Sequence, residues 1–210
     1  MPSPDLLSAL RTRRLVAIVR GNDPDAALNT VVTLVRSGID LVEVSLSGAD
    51  ALRVIEKARA ALGPDAHLGA GTVLTAADAR RAADAGAAYT VTPGVTEAVA
   101  ASRALGLPVL AGALTPTEVV AALAEGATAV KLFPAGPGGV DLLRALRAPF
   151  PDVPFVPVGG VDARAARDYL AAGAVAVGVG TPLVGRAADG DASGLGERVE
   201  AFRSLALEAS

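Results

Sequence analysis

Short runs of apolar residues alternate along the whole chain with longer segments in which apolar residues recur at helical spacing. Successive runs begin roughly 20 to 27 residues apart, which is the length of a strand, two loops and a crossover helix. The pattern predicts eight strands, each followed by a helix: Leu15 to Val19, Asp40 to Leu46, His67 to Ala70, Tyr89 to Thr92, Pro108 to Ala111, Ala129 to Phe133, Phe155 to Val158 and Ala174 to Val179.

The predicted helices carry recognisable start and end signals. Asp23-Pro24 is expected to cap the first crossover helix, with proline at its first position. Thr115-Pro116-Thr117-Glu118 has the spacing of a capping box. Five glycines follow helical stretches and precede strands, where a left-handed residue ends a helix: Gly38, Gly86, Gly106, Gly126 and Gly173.

Eight successive strand–helix units with nearly continuous apolar strands predict an α/β fold, a (β/α)₈ barrel. We expect residues 1–210 to form a single barrel domain with a short N-terminal helix. An open, doubly wound sheet is the alternative. One residue fits poorly, because Pro157 lies inside the seventh predicted strand, where its missing N–H should break a ladder bond.

Composition narrows the functions that this barrel can have. The formal net charge of −3 excludes the basic stripe of a nucleic-acid-binding protein. The chain has no cysteine and one histidine, His67, so we expect no disulfide, no thiolate chemistry and no metal site built from these residues. The N-terminus lacks the pattern of a secretory signal, and residues 171–185 are too short and too rich in glycine to span a membrane. We therefore expect a cytoplasmic protein without nucleic-acid or membrane partners.

The two lysines of the chain lie in opposite environments. Lys57 sits beside Glu56 and Arg59 in a helical segment, as expected for a solvated face. Lys131 interrupts an apolar strand, and burying an ammonium there is costly unless it is paired or its neutral form is favoured. A lysine that forms a Schiff base needs that neutral form, so Lys131 is a candidate nucleophile. A structural ion pair, or a lysine reaching out at the strand end, is the alternative.

Glu43 is the second charge in an apolar strand. Strict alternation places Leu41, Glu43 and Ser45 on one face of the second predicted strand and only apolar residues on the other. The apolar face should meet the helices, so Glu43 should point into the barrel and can face Lys131. A buried carboxylate and amine suit imine chemistry with proton transfer, and a structural salt bridge is the alternative.

Glycines follow the seventh and eighth predicted strands, where barrels of this type commonly bind phosphate through backbone N–H groups. The segments are Val158-Gly159-Gly160-Val161-Asp162 and Gly178-Val179-Gly180-Thr181. Tight turns alone would also favour glycine. Neither a dinucleotide fingerprint nor a P-loop occurs in the chain, so no nucleotide cofactor is expected.

Six short motifs follow one another in order: Leu41-Val-Glu43-Val, Gly69-Ala-Gly-Thr-Val73, Val91-Thr-Pro-Gly94, Val130-Lys131-Leu-Phe-Pro134, Pro157-Val-Gly-Gly160 and Val177-Gly-Val-Gly-Thr181. Together they resemble the aldolase family that acts on 2-keto-3-deoxy-6-phosphogluconate (KDPG) and 4-hydroxy-2-oxoglutarate (KHG). The resemblance spans nearly the whole chain, and six motifs in the right order are far more specific than any one of them.

The resemblance implies a class I aldolase on a (β/α)₈ barrel, without metal or cofactor and usually a homotrimer. It implies cleavage of KDPG to pyruvate and glyceraldehyde 3-phosphate, in which Lys131 attacks the C2 ketone and Glu43 moves protons. The substrate-binding residues carried over from the family are Thr72 and Pro93 at the pyruvate, Phe133 in the pocket wall, and Gly159, Gly160, Gly180 and Thr181 at the phosphate.

Two departures from the family pattern affect the substrate. Ser47 stands where some gluconate-type members have arginine, so we expect Arg20, at the end of the first strand, to bind the carboxylate instead. Val158 stands where gluconate-type members usually have threonine, and a valine there resembles the branch that acts on the C4 epimer, 2-keto-3-deoxy-6-phosphogalactonate. Losing one hydroxyl contact can shift the preference between epimers, so both phosphorylated substrates and KHG stay open.

Two other functions compete with the aldolase. A phosphate-binding barrel isomerase or synthase would keep the glycine loops and use carboxylates without an imine, which leaves Lys131 unexplained. A non-catalytic binder of phosphorylated sugars would tolerate Lys131→Met.

Overall fold

Eight parallel strands form the centre of the structure, a computed structural model that describes residues 5–208. Their order in the sheet is β7-β6-β5-β4-β3-β2-β1-β8. The strands are β1 (Leu15–Val19), β2 (Leu41–Ser45), β3 (His67–Gly71), β4 (Tyr89–Val91), β5 (Val109–Ala113), β6 (Ala129–Leu132), β7 (Phe155–Pro157) and β8 (Val177–Val179).

The helices surround this sheet and connect successive strands. They are α1 (Leu6–Arg13), α2 (Pro24–Arg36), α3 (Ala51–Leu62), α4 (Ala76–Asp84), α5 (Glu97–Ala104), α6 (Pro116–Ala124), α7 (Gly139–Arg147), α8 (Ala163–Ala171), α9 (Thr181–Val184) and α10 (Leu195–Glu208), with a 3₁₀ turn at Ala187–Asp189. No helix within residues 5–208 is both long enough and apolar enough to cross a membrane.

The first and last strands lie together, which gives a nearly closed barrel. β1 pairs with both β2 and β8, while β7 and β8 approach each other through one bridge between Val158 and Gly178. The prediction of an eight-stranded (β/α)₈ barrel is therefore confirmed, and the open sheet is wrong. The eighth strand begins at Val177 rather than Ala174, because its pairing with β1 starts at Leu15 opposite Val177.

The position of Pro157 explains how a parallel sheet accepts it. The N–H of Val158 donates to Leu132 of β6 at 3.0 Å, whereas the carbonyl of Phe155 accepts from Val175 on the β8 side at 3.0 Å. Successive residues point alternately to the two neighbours, so the proline nitrogen faces β8. The missing N–H thus falls at the weakly paired seam and breaks no bond to β6.

Apolar side chains form two layers that the strands separate. Residues on the outward face, such as Val42 and Val44 of β2, pack with the helices. Inward residues, such as Leu41 and Val156, form a second cluster with Leu6 and Leu10 of α1. Helix α1 therefore closes the amino-terminal end of the barrel, and a functional site has room only at the carboxyl ends of the strands.

Candidate active site

A cavity of about 940 Å³ opens at the carboxyl ends of the strands. It brings together all of the site residues predicted from the sequence, although they lie between position 20 and position 181. These lining residues are Arg20, Glu43, Thr72, Pro93, Lys131, Phe133, Val158, Gly159, Gly160, Gly180 and Thr181.

Lys131 is held inside the barrel by β6, where it pairs in register with Gly112 of β5 and Val156 of β7. Its side chain is 5% exposed, and its Nζ lies 4.8 Å from the centre of the Phe133 ring. None of the ion pairs formed within residues 5–208 involves Lys131. The amine therefore faces the cavity and is not tied up in a structural salt bridge.

Glu43 lies on β2 and is 3% exposed. A Cβ atom at Gly71 on the neighbouring strand would collide with Cγ, Cδ and Oε1 of this glutamate, so the glycine makes the room that the side chain occupies. Burial raises the pKa of Glu43 above its ordinary value of 4.5, while the charge of Lys131 lowers it in part. A raised pKa makes the carboxylate a stronger proton acceptor than an exposed glutamate.

Pro93 reaches the cavity because Gly112 lets it approach. A Cβ at Gly112 would overlap the backbone of Pro93. The hydroxyl of Thr92 accepts from the Gly112 N–H at 3.3 Å and donates to the Gly94 carbonyl at 2.7 Å, which fixes the loop after β4.

A cluster of three hydroxyls lies beside Glu43, and sequence reasoning missed two of its members. The Oγ of Ser45 is 2.8 Å from that of Ser47 and 2.9 Å from Oγ1 of Thr72. Thr72 has a φ of +58°, which is a strained conformation for a β-branched residue and marks functional sites. Alternation along β2 placed Ser45 on the face of Glu43, but no sequence pattern shows that its hydroxyl meets Thr72.

The loops after β7 and β8 form the opposite wall. Gly159 and Gly160 have φ values of +92° and +76°, in the left-handed region that glycine adopts without strain. A Cβ at Gly159 would come within 3.1 Å of the Phe133 ring, so this loop also packs closely on the residue next to the lysine strand. Gly180 and Thr181 begin the short helix α9 across from it.

The rim of the cavity carries charged groups that the sequence did not single out. Arg186 and Asp189 line the cavity together with Arg20. The N–H of Asn22 donates to Oδ1 of Asp189 at 2.7 Å, and this bond fastens the loop of Arg20 to the segment that follows β8. The sequence pattern indicated only a polar loop here, because the contact joins residues far apart in the chain.

No group of three or more His, Asp or Glu side chains within residues 5–208 is placed to hold a metal ion. The cavity is lined instead by the Lys131 amine, the Glu43 carboxyl, several hydroxyls and the glycine loops after β7 and β8. The fold and the site together define the class: the protein is a (β/α)₈ barrel with a candidate active site at the carboxyl ends of its strands.

Comparison with known proteins identifies the family within that class. The family model for KDPG and KHG aldolase matches residues 6–194. A probable 2-dehydro-3-deoxy-6-phosphogalactonate aldolase of Rhizobium meliloti (strain 1021) is 39% identical over 173 residues, 81% of this chain and 82% of its own. A 2-dehydro-3-deoxy-phosphogluconate aldolase of Haemophilus influenzae (strain ATCC 51907 / DSM 11121 / KW20 / Rd) is 34% identical over 171 residues, 79% of each chain.

A solved structure described as "Native KDPGal structure" superimposes with a TM-score of 0.85 at 32% identity, covering 93% of this chain and 95% of that one. The chain belongs to the KDPG and KHG aldolase family. The resemblance drawn from the six motifs is confirmed, and the protein is an aldolase.

Proposed function

We propose that the protein is a class I aldolase that cleaves a phosphorylated 2-keto-3-deoxy sugar acid to pyruvate and glyceraldehyde 3-phosphate through an imine on Lys131. The observation that carries this proposal is a buried amine facing a cavity that it shares with a buried carboxylate. Membership of an aldolase family supports the reaction class.

In this reaction the Lys131 nitrogen adds to the C2 carbonyl, and loss of water from the adduct gives an iminium. Glu43 takes the proton from the C4 hydroxyl as the C3–C4 bond breaks, and the bonding electrons move into the iminium to form an enamine. Release of the aldehyde, protonation of the enamine at C3 and hydrolysis of the imine then give pyruvate and restore the amine.

The two ends of the substrate have chemically distinct partners in the cavity. The phosphate suits the backbone N–H groups near Gly159, Gly160 and Gly180, together with the hydroxyl of Thr181. The carboxylate suits the hydroxyls around Thr72 and the cation of Arg20 at the rim. Pro93 and Phe133 supply apolar surface to the cavity that Lys131 faces.

Two C4 epimers compete as the substrate: KDPG, and the galactonate epimer that the valine at position 158 favours. Val158 lines the cavity and offers no hydroxyl to the substrate chain. We expect Val158→Thr to raise the ratio of kcat/KM for KDPG over its epimer by roughly two- to tenfold, the effect of one added hydrogen bond. An unchanged ratio would show that another residue selects the epimer. The kcat/KM for the shorter substrate KHG is measured in the same series.

Incubation with pyruvate and sodium borohydride, followed by peptide mapping, tests the mechanism. Reduction should trap pyruvate on Lys131 of the native protein. Lys131→Met should remove both the adduct and the turnover, whereas Lys57→Met, the matched change at the exposed lysine of α3, should keep both. A folded native protein without an adduct would overturn the proposal and favour an isomerase that works with carboxylates alone. Turnover retained in Lys131→Met would overturn it equally.

The cytoplasmic location stays a prediction. The family resemblance also supports assembly as a homotrimer. Four large apolar side chains, Leu74, Leu105, Val120 and Leu123, are exposed on the isolated chain, which is the kind of surface that association covers. Light scattering on the purified protein should give three times the chain mass of 20.8 kDa. A mass of one chain would exclude the trimer.

A further inference from the structure

The hydroxyl of Tyr89 is a buried polar group that the proposed mechanism does not use. Tyr89 lies on β4 inside the barrel, where its side chain is 1% exposed. Its oxygen is buried and has no hydrogen-bond partner within residues 5–208. A buried hydroxyl without a partner is costly, and each such group in a folded protein calls for an explanation.

The strand register brings Tyr89 and Glu43 to one level of the barrel. Gly69 on β3 is paired with Glu43 on one side and with Tyr89 on the other. A Cβ at Gly69 would collide with Cζ and Cε2 of the tyrosine ring. The ring therefore crosses over the glycine strand, and its hydroxyl end is directed from β4 towards the strand of Glu43.

The remaining separation suits a single bridging water. The tyrosine Cζ occupies the side-chain position of Gly69, and the Glu43 carboxyl occupies that of Gly71. The two groups form no direct hydrogen bond. Positions two residues apart on one face of a strand are separated by about 6.6 Å, a spacing that a hydroxyl, a water and a carboxylate in sequence can bridge. Burial first, and the Glu43 charge second, raise the pKa of Tyr89 well above 10.0, so the hydroxyl keeps its proton at neutral pH and is able to donate it to a hydrogen bond.

We propose that Tyr89 is a positioning residue for the aldolase reaction, whose hydroxyl donates through one water to the Glu43 carboxylate and fixes its orientation and proton affinity. The catalytic part of this inference rests on the proposed function. The contact itself does not, because it depends only on the packing of β2, β3 and β4.

The other charged groups around Glu43 come from different directions. Lys131 faces it from β6, and Arg20, Arg186 and Asp189 stand at the cavity rim. His67 lies at the opposite end of β3, where Asp40 and Arg13 are its charged neighbours. The interior positions nearest the site on β3, β5 and β7, and directly after β7, carry no titratable side chain: Gly69, Gly71, Leu110, Gly112, Val156 and Val158.

The test compares Tyr89→Phe with Tyr169→Phe, which removes a hydroxyl that donates to the Ala135 carbonyl at 2.8 Å outside the barrel interior. Carbon-13 NMR of the Glu43 carboxyl, assigned with Glu43→Gln, follows its titration in each protein. In Tyr89→Phe the midpoint should move to higher pH, since the carboxylate loses a donor. In Tyr169→Phe it should stay in place. A midpoint that is the same in Tyr89→Phe and the native protein overturns the proposal.

Kinetics test the catalytic part separately. In Tyr89→Phe kcat should fall roughly three- to tenfold, and the acid limb of kcat/KM should move with the Glu43 titration. When Tyr89→Phe is added to the Glu43→Gln variant, kcat should not fall further. A tyrosine with a merely structural role would lower kcat in both backgrounds. An equal loss in both backgrounds would overturn the role through Glu43. Failure of the proposed function would appear in the borohydride experiment instead, as a native protein that traps no pyruvate.

Discussion

Lys131 and Glu43 share one buried cavity, yet they form no ion pair with each other among the described residues. Two charges held apart in a protein interior gain little from each other and lose most of their hydration. This arrangement lowers the stability of the fold but suits catalysis, because each group is left free to react with a ligand. The pKa of Glu43 reflects this balance: burial raises it by more than the attraction of Lys131 lowers it.

The raised pKa of Glu43 predicts a pH-dependent cost of folding. Below its ordinary value of 4.5 the carboxyl is protonated in both the folded and the unfolded chain. As the pH rises, the unfolded chain ionises first, and stability is lost until the pH exceeds the folded pKa. Glu43→Gln cannot ionise, so its free energy of unfolding should increase relative to that of the native protein as the pH rises towards neutrality.

Urea unfolding at a series of pH values from 4 to neutrality measures this difference. Glu56→Gln, the same change at an exposed glutamate of α3, serves as the control and should show no comparable trend. A difference that stays flat or reverses with pH in Glu43→Gln would contradict the raised pKa.

At the scale of elements, short-range signals determined most of what could be predicted. All eight predicted strands exist, and Asp23 caps α2 through its side chain. The box formed by Thr115 and Glu118 begins α6, and the five glycines placed at helix ends have φ values between +77° and +91°. These features depend on residues only a few positions apart, so a single sequence contains the information needed to find them.

The features that sequence reasoning missed depend on contacts between distant segments. The hydroxyl of Ser45 contacts that of Thr72, which follows the neighbouring strand β3. Asp189, in the segment after β8, holds Asn22 in the loop after β1. Pro157 conflicts with the predicted seventh strand on sequence grounds alone, and only the weak pairing between β7 and β8 shows that its nitrogen faces β8. Such contacts require the register and the closure of the barrel, and neither is encoded in local spacing.

The capping box of α6 allows a prediction at this scale. The Thr115 hydroxyl accepts from the Glu118 N–H at 3.3 Å, and the glutamate carboxylate accepts from the N–H groups of Leu114 and Thr115, both at 2.8 Å. Thr115→Ala should therefore lower the free energy of unfolding by about 1 kcal/mol. Thr117→Ala, two residues further on and outside the box, should change it much less. Equal losses in the two variants, measured by urea unfolding, would show that the box contributes nothing.

At the scale of the whole molecule, the barrel interior is divided between two tasks. Its carboxyl end holds the cavity with Lys131 and Glu43, whereas its amino-terminal end is filled by apolar side chains on which α1 packs. The division agrees with the general asymmetry of (β/α)₈ barrels, in which one end carries chemistry and the other stability.

Leu10 is the side chain that tests this division. It is fully buried at the closed end of the barrel, in the same cluster as Leu41 and Val156, while Leu7 on the same helix is only half-buried. Leu10→Ala should lower the free energy of unfolding by about 2–5 kcal/mol, the range for a large cavity in a packed core, and Leu7→Ala should lower it by much less.

At temperatures where the Leu10→Ala variant stays folded, its KM and kcat should equal those of the native enzyme. The packed layer of Leu41 and Val156 stands between α1 and the reacting groups, and it lies on strands whose pairing does not depend on the helix. Steady-state kinetics beside urea unfolding separates the two properties. If kcat fell along with stability, the closed end would be coupled to the site through the barrel interior, and the two ends would have to be treated as one cooperative core.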